Sequence, residues 1–251
     1  IASLTADQFK TLSTDQLNAL TTAQVKGLTT AQLVALTTDQ VGGLTAGVVS
    51  ALSVTQLAAV ETDDFAALST DAVASLTTAQ ISKLTTAQIV ALSEDQTGVL
   101  TTAQVKSLTT TQVSVLETAD LAKLGTSQIQ ALSAGAIANL TADQFKTLST
   151  DQLNALTTVQ IKGVSTDQLV ALTTEQVAGL STSVVSSLTT AQISAMATDD
   201  VAALSTDAVA AFTTAQIKGL TTAQVVALSE DQAGVLTTAQ AKALTTEQIA
   251  V

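Results

Sequence analysis

Leu20-Thr21-Thr22-Ala23-Gln24-Val25-Lys26-Gly27 is the stretch whose reading decides the fold. The same eight-residue pattern runs through the whole chain. After Ile1-Ala2-Ser3, the remaining residues divide into 31 consecutive octads with no insertion or deletion. Position 1 is Leu except at Val60, Val164, Met196 and Phe212, and position 2 is Ser or Thr in 27 octads. Position 5 is Gln in 23 octads, and position 6 is Val, Ile, Leu or Phe except at Thr97, Ala233 and Ala241. Position 8 is mostly Ala, Gly or Ser. No Pro-rich or Gly-rich linker breaks the pattern, so residues 1–251 are expected to form a single continuous array. Such a repeat is the signature of an array in which units bury their apolar faces on neighbours.

One long helix is excluded by angle. Eight residues at about 100° each leave the leucine row drifting by about 80° per octad. A β-solenoid is the rival, because Thr and Val favour strands. It needs corners of Gly, Asn or Asp, and many octads hold none. The octad itself points to one short helix. Thr21 and Gln24 have the spacing of a capping box, in which hydroxyl and amide each serve the other's backbone N–H. Leu20 and Val25 stand where a hydrophobic staple stands. All 21 acids occupy positions 2–5 and all nine Lys occupy positions 7 or 8. The helix dipole favours that segregation, and a strand gives no reason for it.

The expected fold is therefore all-α: an α-solenoid, or superhelix, of helices about six residues long at positions 3–8. Helices so short are unstable alone. A cap contributes about 1 kcal/mol, so burial of Leu and of the position-6 aliphatic must supply the rest, at roughly 1.5–3 kcal/mol each. Two octads per coil is the favoured geometry, with rungs roughly 8–10 Å apart. Three or more per coil is the alternative. Small residues at position 8 are expected to let helices approach closely.

A longer period lies above the octad. Residues 4–115 match 140–251 at 82 of 112 positions, 17 octads apart. A 136-residue super-repeat (4–139, and 140–251 incomplete) has been duplicated whole.

Composition removes most chemistry. There is no Cys, His, Trp, Tyr, Pro or Arg, which excludes thiol nucleophiles, disulfides, Ser-His-Asp relays and the usual zinc sites. No catalytic set recurs outside the capping pattern, so the chain is not expected to be an enzyme or to carry a cofactor. A net charge of −12 opposes binding to nucleic acid. Mean hydropathy is +0.43, yet Ser, Thr or Gln interrupts every apolar run, so no transmembrane segment is expected. There is no signal peptide or initiator Met, and the first and last octads are as regular as any between. The chain thus reads as part of something longer, or as a unit whose ends stack.

The string LTTAQVVAL at 220–228 resembles the first helix of TAL effector repeats. The likeness is superficial, since no base-reading loop accompanies it. More extensively, Leu20, Thr21, Gln24, Val25 and their counterparts resemble the L[ST]xxQ[IV]xx octads found in very large secreted or surface proteins of bacteria, often beside adhesin-like modules. That resemblance implies an extracellular or cell-surface stalk, spacer or filament-forming segment. Self-association, end to end or lateral, goes with it. The alternative is a solenoid that binds a protein or peptide partner. Four Phe (Phe9, Phe65, Phe145, Phe212), all at core positions, give that alternative no aromatic groove.

Three features are candidate sites. Glu61, Asp63, Asp64 and Asp71, with Asp199, Asp200 and Asp207, are candidate Ca²⁺ ligands if stacked octads bring them together. The competing and favoured reading makes them dipole partners. The position-5 Gln is expected to act in the cap, with a ladder between rungs as the second option. Val48, Ala72, Ala136, Val184 and Ala208 replace it, either marking an apolar lateral surface or reflecting drift. Asn139-Leu140-Thr141 is a lone sequon.

Overall fold

The computed structural model describes residues 1 and 3–250. Among them are 31 short helices, from α1 (Ala6–Lys10) to α31 (Thr246–Ile249), one in each octad, and no strand. Most are five residues long rather than six. The residue at position 8 then acts as C-cap in αR geometry, as at Gly27 (φ −86°, ψ −3°). The N–H of the next Leu closes the turn three residues back, as Leu84 does onto the Ile81 carbonyl at 3.2 Å.

Positions 1 and 2 connect the helices. Leu108 (φ −60°, ψ 134°) and Thr109 (φ −75°, ψ 158°) are both extended. Two such residues turn the chain without glycine, and no described residue has positive φ. Every glutamine octad closes both arms of the capping box except that of Gly125, which has no side chain to offer. In Thr77–Gln80, Gln80 N–H donates to Thr77 Oγ1 at 3.2 Å and Thr77 N–H donates to Gln80 Oε1 at 2.7 Å.

The chain divides into two compact units, residues 1–132 and 133–251. Within the first, α5 (Thr38–Gly42) packs on α8 (Thr62–Ala66), and α13 (Thr102–Ser107) on α16 (Thr126–Ala131). Within the second, α17 (Ala134–Ala138) packs on α20 (Thr158–Gly163), and α24 (Thr190–Ala195) on α27 (Thr214–Gly219). Each partner lies three octads away. Some pairs, such as α2 (Thr14–Asn18) with α6 (Ala46–Ala51), are four apart. Each unit is thus an α-solenoid of about three octads per coil, which corrects the expected two. Short helices joined by two extended residues do not fold back antiparallel. They turn through a wider coil whose interior must be filled.

Positions 1 and 6 fill it. Phe9, Phe65, Ile81 and Ile137 are fully buried, and Leu at position 1 is nearly so through most of the chain. Phe212, at position 1, is buried as well. In the second unit a small apolar cavity remains among Phe145, Leu153, Ile161, Leu169 and Leu180, all at these two positions, and Val184 at position 5. Position 8 faces the coil before. A Cβ on Gly43 would stand 2.5 Å from Thr14 Cγ2, and one on Gly179 2.6 Å from Thr150 Cγ2. At both places a larger side chain would force the threonine to move. No helix among the described residues is long and apolar enough to cross a membrane.

Candidate functional site

The polar chemistry of the array is concentrated where one coil meets the next. Gln80 shows the arrangement. Its Oε1 is held by the Thr77 N–H and by Thr77 Oγ1–H at 3.0 Å. Its Nε2 donates to the carbonyls of Val49 at 3.0 Å and Leu52 at 2.9 Å, in the preceding coil. A carboxamide offers two donors and one acceptor oxygen, and all are used. Val49 and Leu52 lie at the end of α6, where the Val49 carbonyl accepts from the Leu52 N–H and still has a lone pair free, and the Leu52 carbonyl has no partner within the helix. One side chain thus caps the N-terminus of its own helix and the C-terminus of another. The pattern recurs at Gln56, Gln88, Gln104 and Gln112 in the first unit, and at Gln168, Gln192, Gln216 and Gln224 in the second. The cap and the inter-rung ladder, which the sequence presents as alternatives, are one structure.

Several octads without Gln keep the joint by other means. Val48 leaves the Thr45 N–H without its usual acceptor, and Asn18 Oδ1 of the preceding coil accepts from it at 2.8 Å. Asn18 Nδ2 donates to the Gly43 carbonyl at 2.9 Å. The duplicated region repeats this clamp: Ser181 N–H donates to Asn154 Oδ1 at 2.7 Å, and Asn154 Nδ2 to the Gly179 carbonyl at 2.9 Å. Asn18 and Asn154 are working residues that sequence reasoning passed over. The signal was present, because each precedes a Gln-less octad by the same four units. At Ala72 the Ser75 hydroxyl, 2.7 Å from the Ala72 carbonyl of its own helix, also lies 3.1 Å from the Ala46 carbonyl of the coil before. Val48, Ala72, Ala136, Val184 and Ala208 are all buried, so they form no apolar lateral surface.

The carboxylates proposed as calcium ligands do not converge. Asp63, Asp71, Asp199 and Asp207 are exposed in the first turns of their helices. Asp64 and Asp200 are buried and accept from the Thr38 and Thr174 hydroxyls, at 2.7 and 3.0 Å. Among the described residues no group of three or more His, Cys, Asp or Glu is placed to hold a metal ion. The reason is the coil: octads eight residues apart lie side by side around it, and only every third one stacks. Asn139 of the sequon donates to the Gly135 carbonyl at 2.7 Å.

One acid has a displaced titration. Burial raises the pKa of Asp120 above the ordinary carboxylate value of 3.8. The Glu117 N–H, a donor to it, works in the opposite direction, the charge of Glu117 raises it again, the nearby Thr97 hydroxyl lowers it, and Glu94 adds to the rise.

The family model of the ALTTAQ repeat matches the chain eight times, at residues 11–46, 22–54, 57–94, 79–110, 113–150, 147–182, 195–230 and 206–238. These overlapping matches cover most of the sequence. No curated protein matches the chain.

Proposed function

The chain belongs to the ALTTAQ repeat family, and on that premise we propose that it is a structural spacer, a segment whose task is to set a distance. The observation that carries this reading is the identity of the acceptors at the joints. Glutamine amides bind backbone carbonyls, as Gln104 binds those of Val73 and Leu76. Every octad offers such carbonyls, whatever its side chains, so coils can be added or removed without new chemistry. The rest of each octad is occupied by cap, core and contact, which leaves little surface specialised for a ligand. The same reading makes the segment part of a stalk or filament at a bacterial cell surface, able to associate with copies of itself.

The test is a distance measurement within the first unit. Spin labels at exposed Thr22 and Thr102 should move closer by one rung, roughly 8–10 Å by ordinary helix spacing, when residues 76–99, one coil of three octads, are deleted. A distance that does not follow the number of coils removes the spacer reading. Sedimentation velocity over a range of concentrations tests self-association, and a mass that never rises above the monomer eliminates it. Antibody labelling of intact cells tests the surface location.

A further inference from the structure

The joint at Asp120 differs from all its relatives in a way that gives it a task. Three octads carry a buried Asp at position 5: those of Asp64, Asp120 and Asp200. Asp lacks the donor of Gln and, when ionised, needs donors itself. At two of the joints a threonine hydroxyl 26 residues earlier supplies one, Thr38 to Asp64 and Thr174 to Asp200. The residue 26 before Asp120 is Glu94. An acid stands where the other joints hold the donor.

The consequences are visible around it. Asp120 lies on α15 (Thr118–Lys123), which packs on α12 (Glu94–Gly98). Its carboxyl is buried, and Oδ2 has no hydrogen-bond partner. On α12, Thr97 is fully buried and its Oγ1 also lacks a partner. Thr97 is the one hydroxyl among the position-6 residues. The charged groups on these two helices are Glu94 and Asp95 from α12, with Lys123 and the N-cap Glu117 from α15. Lys123 Nζ pairs with Glu94 at 3.3 Å, and both side chains are half exposed. The cation thus engages the outer acid and leaves the inner carboxyl without a countercharge.

We propose that Asp120 is a proton-operated latch between two coils. With a proton taken up from solvent, the carboxyl becomes a neutral donor and closes the joint toward Thr97. Without it, a buried negative charge faces Glu94 and Glu117, and the α12–α15 contact loosens. A carboxyl whose pKa is raised in the fold contributes stability that is fully present below the unfolded value of 3.8. That contribution is lost as pH rises through the folded value. Acidification therefore tightens this joint.

Carboxyl carbon NMR on the full chain reads the titration directly. Asp120 is expected to titrate above 3.8, and E94T, which restores the threonine of the other joints, is expected to lower its midpoint. Amide exchange over residues 116–124, corrected for the intrinsic pH dependence, should speed up as pH rises through that midpoint. In D120N the corrected rates should be flat. An Asp120 midpoint at or below 3.8, or a pH response that survives in D120N, overturns the latch. Because the wild-type titration is decisive alone, the test stands even if a variant folds poorly.

Discussion

Octads 76–83 and 44–51 each hold one short helix at the same place in the octad, yet they are tied to the coil before them from opposite sides. In the first, Gln80 reaches back to Val49 and Leu52. In the second, Asn18 reaches forward from the earlier coil to Thr45 and Gly43. Both solutions place one carboxamide at the joint, with its oxygen on the N-cap N–H and its nitrogen on a carbonyl. At these two joints the amide comes from either octad, whereas at Asp64 and Asp200 a carboxylate and a threonine hydroxyl meet instead. Glutamine and asparagine differ by one methylene. The shorter side chain serves where Gly43 brings the coils closest.

That comparison can be broken most severely at Gln80. Gln80→Ala leaves the Thr77 N–H and the Leu52 carbonyl without partners, and takes one of two donors from the Val49 carbonyl, in a 2% exposed site. About 3 kcal/mol should be lost, combining unsatisfied groups with a small cavity, as read by urea denaturation. A loss below about 1 kcal/mol would mean that water replaces the amide. Gly43→Val attacks the other joint through sterics, since its first carbon meets Thr14 Cγ2. About 2 kcal/mol is expected, as for overpacking elsewhere, with Thr14→Ala restoring part of it.

Asn18→Ala should cost about 1 kcal/mol, because its hydrogen bonds lie in a more exposed place. Adding Val48→Gln should recover that loss if an amide from either side suffices. A double-mutant cycle in which the two changes are simply additive would show that the two joints are not equivalent. The smallest effect belongs to Gln24→Ala. Gln24 makes the same capping box but is exposed, so only the cap is lost, at about 0.5 kcal/mol. The difference between Gln24 and Gln80 measures the contribution of the coil-to-coil bonds.

Much of the molecule was legible in its octad. The Thr21–Gln24 spacing announces the cap, Leu20 and Val25 the core, and the separation of acids from Lys the helix direction. Each depends on residues within eight of one another, where backbone geometry leaves few choices. The joints were less legible. The glutamine amide nitrogen finds its acceptors 28 and 31 residues away, as Gln80 does at Leu52 and Val49. Nothing in a local pattern specifies that distance. The candidate calcium carboxylates stay apart for the same reason, since Asp63 and Asp71 lie in adjacent octads and not in one stack.

By itself the sequence determined where each helix begins, which way it runs and which two side chains it buries, because caps, staples and dipoles act within one turn. Only the tertiary structure decided that about three octads complete a coil. That number follows from the angle the two extended residues impose and from how Leu, Ile and Phe fill the interior. With it came every partner across the joints, including the Glu94 that stands opposite Asp120 in place of a threonine.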